Sequence, residues 1–228
     1  MFINDIPLSE YGAKLLSRKI SSAEIDIKTF WPRNAMRPYI GKNPKYYYKN
    51  LELEIEFQGS ANEIEINKSR LIKALTSASV AFKALEHIYT GTIDKTSSGT
   101  QEYGFEVLRV DMVVFEHEEM QSISISSQSS TIYLESNEIT PAVIYLLPSA
   151  DIPSLTLEGF GESIEIKNLT SGIEVIINGE DGSVTQAGEN KWLDYDSWSF
   201  PKLMPGENEI TISSPSTTLR VEFSPRWV

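Results

Sequence analysis

The run Leu51-Glu52-Leu53-Glu54-Ile55-Glu56-Phe57 constrains this chain more than any other, because apolar and acidic residues alternate in it one for one. Only an extended backbone sorts such a run into an apolar face and a charged face. A helix would scatter both sets around its circumference. The segment is therefore a strand with one side on a core and one in water. Ala23–Lys28 reads the same way, with Ile25 and Ile27 on one face. So do His87–Ile93 and the long run Phe105–Phe115, and between these two Lys95–Gln101, containing Thr96-Ser97-Ser98-Gly99-Thr100, reads as a hairpin loop. Short strands follow around Ile123 and Ile125 and around Ile132 and Leu134. Helical spacing is clear once. Leu71, Ile72 and Leu75, extended by Ala74 and Ala78 and opened by Asn67 as N-cap, predict a short helix ending before Val80.

From Glu138 onward the grammar changes. Strand candidates recur at Val143–Leu147, Ser154–Leu157, Ser163–Ile166, Glu174–Ile177, Asn208–Ile212 and Leu219–Phe223. Turn signals separate them, among them Asn178-Gly179, Asp181-Gly182, Gly188, Pro205-Gly206 and Ser214-Pro215. Short strands at close spacing predict a β-sandwich. The chain is thus expected to be mainly β, with a β-rich N-terminal domain carrying one short helix over residues 1–137 and a sandwich over residues 138–228.

Composition removes several kinds of chemistry. With no cysteine and only His87 and His117, there is no disulfide, no thiolate site and no histidine-rich ligand set. The sequence has no Gly-x-Ser-x-Gly, and Gly159-Phe160-Gly161 lacks the third glycine and following helix of a dinucleotide loop. Glu52, Glu54 and Glu56 share one strand face and read as a solvent face rather than a glycosidase pair. Glu116-His117-Glu118-Glu119 cannot converge in an extended segment and reads as a solvated strand end. Glu180, Asp181, Asp194 and Asp196 lack calcium-loop spacing and read as solvated turns. No catalytic residue, metal or cofactor is expected. Met1–Pro7 lacks the basic and apolar regions of a secretory leader, and no run is long enough to span a bilayer.

The net charge is −12 and uneven: residues 1–137 carry 15 basic and 18 acidic side chains, residues 138–228 carry 5 and 14. Such a chain is repelled by nucleic acid at long range. One segment runs against this trend. Lys28–Lys49 holds Lys28, Arg33, Arg37, Lys42, Lys45 and Lys49 without an acid, interleaved with Phe30, Trp31, Tyr39, Tyr46, Tyr47 and Tyr48. Base stacking on a single strand uses such residues, and so do protein interfaces. Because the rest of the chain is acidic, docking on a neighbouring subunit is the preferred reading, with Trp31, Arg33, Arg37, Tyr46, Tyr47 and Tyr48 as contact candidates.

The C-terminal letters carry a family likeness. In order they are Ile166-Lys167-Asn168-Leu169-Thr170-Ser171-Gly172, the strand Ile173–Ile177, Asn178-Gly179-Glu180-Asp181-Gly182, Gly188-Glu189-Asn190, the aromatic stretch Trp192–Trp198, Phe200-Pro201-Lys202-Leu203-Met204-Pro205-Gly206-Glu207-Asn208, and the closing Phe223-Ser224-Pro225-Arg226-Trp227. This order resembles the C-terminal domain of siphophage distal tail proteins. The resemblance implies a galectin-like sandwich behind the β-rich domain. It implies a homohexameric ring, single or stacked, at the distal end of a tail, a structural hub rather than an enzyme. Implied partners are the tail tube protein, tail-associated and tail fibre proteins and receptor-binding proteins, with no sequence-specific nucleic acid and no membrane insertion. The implied location is the virion tail tip, after synthesis in the host cytoplasm. At 228 residues there is no room for an inserted sugar-binding domain. The alternative is a carbohydrate-binding adhesion module with Trp192, Tyr195 and Trp198 lining a groove. Packing is the preferred role for those aromatics, and the histidine, asparagine, arginine and tryptophan set of sugar-binding galectins is not evident.

Overall fold

The alternation in residues 51–57 has the consequence expected of it. In a computed structural model describing residues 1–41 and 45–228, Lys49–Gln58 is a strand whose Leu51, Leu53, Ile55 and Phe57 are fully buried. Glu52 and Glu54 face water, where Lys19 and Arg109 meet them at 2.9 and 3.0 Å. The chain forms two units, Met1–His117 with Val228 and Glu118–Trp227, each with its own apolar core. The break comes earlier than the division expected at 137/138. Gln121–Ile125 and Ser129–Leu134 pair with Thr217–Phe223 and Gly206–Ile212 and so belong to the second unit.

The first unit contains β1 (Phe2–Ile3), β2 (Ile6–Pro7), β3 (Ala13–Ile20), β4 (Ile25–Asp26), β5 (Thr29–Phe30), β6 (Tyr39–Ile40), β7 (Lys45–Tyr46), β8 (Lys49–Gln58), α1 (Ala61–Leu75), β9 (Ala78–Ala81), β10 (Ile88–Glu102) and β11 (Phe105–His117). Its antiparallel sheet runs β2-β1-β9-β10-β11-β8-β3. The helix α1 begins six residues before the expected Asn67. Ser60 caps it: its hydroxyl accepts from the Glu63 N–H at 3.4 Å, and the Glu63 carboxylate accepts from the Ser60 N–H at 2.9 Å. This reciprocal box satisfies two amide groups that the first turn leaves unpaired. Ile64, Leu71 and Leu75 then bury the helix's apolar stripe.

The loop expected at Lys95–Gln101 is strand. β10 continues to Glu102, absorbing register shifts near Asp94 and Gly99, and the turn is Tyr103-Gly104, with Gly104 at φ +85°. Pairing with the apolar β11 overrides the turn propensity of the serines and glycine. At Gly91 an added Cβ would lie 1.9 Å from the Val113 carbonyl oxygen, so the β10–β11 approach requires glycine there.

The solvated strand end expected at Glu116 is a buried charge cluster. The inward row of β11 is Glu106, Leu108, Val110, Met112, Val114 and Glu116, all buried, with a carboxylate at each end. Lys68 of α1 bonds Glu106 at 2.8 Å. Lys49, at the start of β8, and the Nδ1 of His87 both bond Glu116, and the Tyr89 hydroxyl donates to it at 3.2 Å. Burial works to raise the Glu116 pKa. The hydrogen bonds and charges of Lys49 and His87 outweigh it and hold the carboxyl below its ordinary value. The same burial, with the neighbouring carboxylate, pushes the Tyr89 phenol up to about 12. His117 faces the other side of the sheet and meets the Thr90 hydroxyl at 2.8 Å.

The second unit contains β12 (Gln121–Ile125), β13 (Ser129–Leu134), β14 (Thr140–Pro148), β15 (Ile152–Glu158), β16 (Ile164–Leu169), β17 (Val175–Asn178), β18 (Ser183–Gln186), β19 (Glu189–Asn190), β20 (Tyr195–Asp196), β21 (Lys202–Leu203), β22 (Gly206–Ile212) and β23 (Thr217–Phe223). It is the expected sandwich. One sheet runs β12-β23-β14-β17-β18-β19, the other β13-β22-β15-β16-β20, and β21 joins β14. Alternating residues such as Ile144, Leu155, Leu157, Ile166, Ile210 and Val221 fill the space between them. Each of the six strands expected after residue 138 forms, with shifted or longer ends.

The Pro-Gly-x-Asn element has a physical purpose beyond its turn. Gly206 takes φ +93°, and the buried Asn208 amide ties the turn shut. Its Oδ1 accepts from the Met204 N–H at 2.8 Å, and its Nδ2 donates to the carbonyls of Met204 at 2.8 Å and Gly206 at 3.1 Å. The closing Pro-Arg-Trp segment is also anchored. The Glu118 N–H donates to the Pro225 carbonyl at 2.9 Å, the Trp227 indole to the Glu118 carboxylate at 2.9 Å, and the Arg226 N–H to the buried Thr140 hydroxyl at 3.0 Å.

Two stability predictions follow from these buried polar groups. Asn208→Leu orphans three backbone groups in the second unit, and its urea midpoint is expected to fall by the equivalent of roughly 2–4 kcal/mol. An unchanged midpoint would contradict the role given to Asn208. Glu116→Gln leaves Lys49 buried without a counter-charge and is expected to destabilise the first unit by roughly 3 kcal/mol at neutral pH. The folded Glu116 pKa lies below the ordinary 4.5, so its contribution is present above that value and is lost as pH falls through the lower folded value. Wild-type and variant urea midpoints should therefore converge in acid, and a gap that stays constant down to pH 3 would refute this.

Candidate assembly interface

The described residues of 21–41 and 45–50 pair as one long antiparallel hairpin. Ser21 and Asn50 bond each other at its root, Glu24 pairs with Tyr47 and Tyr48, and β4 with β7 and β5 with β6 continue the ladder outward. Ten residues of strand reach about 33 Å. The tip is a compact turn: the Ala35 N–H donates to the Pro32 carbonyl at 3.0 Å, the Trp31 indole to the Ala35 carbonyl at 2.8 Å, and Asn34 sits at φ +71°. The Phe30 and Tyr39 rings pack across the ladder at 5.0 Å.

This arm has no core of its own. Ile25 and Ile27, expected on a buried face, are exposed because the arm is two strands wide and nothing covers either side. Trp31 is 64% exposed, Phe30 58% and Met36 completely. An isolated two-stranded ribbon is marginal in water. Its apolar surface is the kind that marks an interaction site.

The six contact candidates all lie on this arm, in two groups. Trp31, Arg33 and Arg37 surround the tip, while Tyr46, Tyr47 and Tyr48 lie in a row toward the root, each exposed. Of the cations in the stretch, Lys28, Arg33, Arg37 and Lys45 are exposed, and none makes an ion pair among the described residues. Lys49 is the exception: it is buried against Glu116 and belongs to the core sheet. Lys42 lies outside the described residues. Met36 was not singled out by sequence, though its place between Pro32 and Pro38 signals a turn tip.

The aromatic stretch of the second unit divides by role. Tyr195 is buried, its hydroxyl donating to the Ser199 carbonyl at 2.6 Å. Trp192, Tyr195 and Phe200 form a triangle of rings 5.5–5.6 Å apart, so packing describes the first two. Trp198 does not pack: it is 98% exposed, and Leu193 is 99% exposed. The acids nearby are engaged as turn braces. Asp194 bonds Lys191 at 2.7 Å and Asn168 at 2.7 Å, Asp181 caps Ser183, and Asp196 meets Lys167 at 3.1 Å. Among the described residues no group of three or more His, Asp or Glu is placed to hold a metal ion. No helix among them is long and apolar enough to cross a membrane.

Comparison with known proteins accords with this architecture. Residues 135–227 match the family model described as the siphovirus-type tail component, C-terminal domain. No curated protein matches the chain by sequence. The crystal structure of the Dit protein (gp 19.1) of phage SPP1, described as a paradigm of the hub adsorption apparatus in phages infecting Gram-positive bacteria, superimposes with a TM-score of 0.78. That likeness spans 100% of this chain and 98% of that one at 10% identity. Chains of the phage P2 baseplate, in its activated conformation with calcium and with strontium, superimpose with a TM-score of 0.56 at 10% identity, over 94% of this chain and 91% of theirs. Residues 135–227 thus resemble the C-terminal domain of the siphovirus-type tail component family, and the chain shares its fold with the Dit protein of phage SPP1 along its whole length.

Proposed function

We propose that this protein is a structural hub of a siphophage tail tip that closes into a homohexameric ring, single or stacked, between the tail tube and the adsorption apparatus. The observation that carries this reading is the uncovered basic and aromatic arm, on a chain whose full-length fold is that of a hub protein. In the ring each arm docks on the next copy through Trp31, Arg33, Arg37 and Tyr46, Tyr47 and Tyr48. The second unit acts as a galectin-like outer domain. The ring's other partners are the tail tube protein, tail fibre and tail-associated proteins and receptor-binding proteins. The role is structural, without catalysis, and its place is the tail tip of the virion after assembly in the host cytoplasm.

A glycan-binding reading has one observation in its favour, the free face of Trp198. Leu193, exposed to the same degree on the same segment, argues for protein docking instead, since an aliphatic side chain offers a sugar no stacking face.

Light scattering on the purified chain, with negative-stain images, tests the ring. Six copies of 25.6 kDa give about 154 kDa, and an annulus at that mass or its double is expected. Arg33→Glu combined with Arg37→Glu is expected to disperse it to monomers. A ring that survives this reversal would remove the arm from the interface.

A further inference from the structure

The two sheets of the second unit end differently on their two sides. On one side the edge strands are β19 and β20, two residues each and carrying Glu189 and Asp196. Short strands and charges are the usual guards that keep a free edge from pairing. On the other side the edges are β12 and β13, five and six residues long. These two strands are consecutive, and residues 120–134 hold no charge and no proline in a chain that is 23% charged. Neither edge is bent by a bulge, since β12 with β23 and β13 with β22 keep one register throughout. One side of the sandwich is thus closed to pairing and the other is left open to it.

The hydrogen-bond phase of β13 shows which groups face outward along that edge. The Ile212 N–H donates to the Gln128 carbonyl at 2.9 Å, and bonded pairs alternate along an antiparallel ladder. Ser130, Ile132 and Leu134 therefore turn their N–H and C=O groups toward β22, while Ser129, Thr131 and Tyr133 turn theirs to the free edge. The Ser127 hydroxyl donates to the Ser129 carbonyl at 2.6 Å. Among the described residues no strand pairs with Thr131 or Tyr133 on that side. The side chains fix what the edge accepts. Thr131 and Tyr133 lie on the outward face, Tyr133 66% exposed, and across the ladder from them stand the exposed Glu209 and Glu207. A strand added beside β13 would lie about 10 Å from β22, a gap that a lysine or arginine and a glutamate span together. Its other side chains would face inward, toward Ile132 and the partly buried Ile123, where the apolar space between the sheets opens.

We propose that the free edge of β13 is a strand-addition site for an extended segment of another protein, one in which cations alternate with β-branched or aromatic residues. Main-chain bonds to Thr131 and Tyr133 hold the segment, its cations meet Glu207 and Glu209, and its apolar residues close the opening over Ile123 and Ile132. The site lies wholly within the second unit and needs neither the ring nor the arm.

The test uses the full chain and a fluorescent synthetic peptide of alternating lysine and valine, read by anisotropy at low salt. Wild type is expected to bind it. Thr131→Pro is expected to weaken binding about tenfold or more, because it removes an N–H that faces the edge and leaves the bonds to β22 untouched. Glu207→Lys with Glu209→Lys is expected to weaken it as well, and so is N-methylation of alternate peptide amides. Hydrogen exchange gives the position: the bound peptide is expected to slow Thr131 and Tyr133, while Ser130 and Ile132 are protected with or without it. Circular dichroism checks that each variant is folded. No binding to wild type would overturn the site. Binding that ignores Thr131→Pro or the N-methyl groups would also overturn it, since charge alone would then account for the contact. So would protection that falls on other strands. Light scattering on Thr131→Pro separates this proposal from the ring. The variant is expected to keep the mass of wild type, whatever that mass is, and a loss of assembly would make the edge a contact between copies and overturn its assignment to another protein.

Discussion

Two buried ion pairs bracket the central strand of the first unit, and the placement of everything around it depends on them. The inward row of β11 ends in Glu106 on one side and Glu116 on the other, each out of water and each answered by a lysine. Lys68 comes from α1 and Lys49 from the first residue of β8, so one pair seats the helix and the other seats the neighbouring strand. A slip of one residue would turn the apolar row of β8 toward water and strand a charge in the core. Apolar packing alone tolerates near-misses, whereas an unpaired buried charge does not. The pairs cost desolvation and return a single register.

Lys49 also marks where the arm stops and the core sheet starts. Between Glu24 and Tyr48 no described residue is buried; from Lys49 to Phe57 every second residue is. An exposed ribbon therefore leaves a buried root. The ribbon's positive charge sets it apart on a chain of net −12.

The elements legible in the sequence were those whose pattern is local. The row Leu51–Phe57 announces its own strand, and the strands after residue 138 are each framed by turn residues. The basic, aromatic stretch stood out in the sequence because its composition departs from the rest of the chain, and the structure places its described residues on an exposed hairpin. What escaped depended on distant partners. The serines and glycine of 96–100 carry every sign of a turn, but β11 lies alongside and pairs with Thr96, Ser97 and Ser98, leaving Gly99 in a register shift. Glu116 looked solvated because Lys49, His87 and Tyr89 reach it only in the folded sheet. The Ser60 and Glu63 capping box was written in the letters, yet the apolar stripe it opens is sparse, with Ile64 a full two turns before Leu71. Leu193 and Trp198 sit in an aromatic run that packs in part, and only coordinates separate the packed rings from the displayed one.

The second unit is tied shut where it begins and ends. Glu118, its first residue, bonds Pro225 through the backbone and Trp227 through the side chain. Both ends of the sandwich therefore emerge side by side. Tension applied through those ends would peel this clasp open bond by bond before it reached the strands behind it. The sheets would be spared any load below the strength of the clasp, so the sandwich can be pulled on without being stretched.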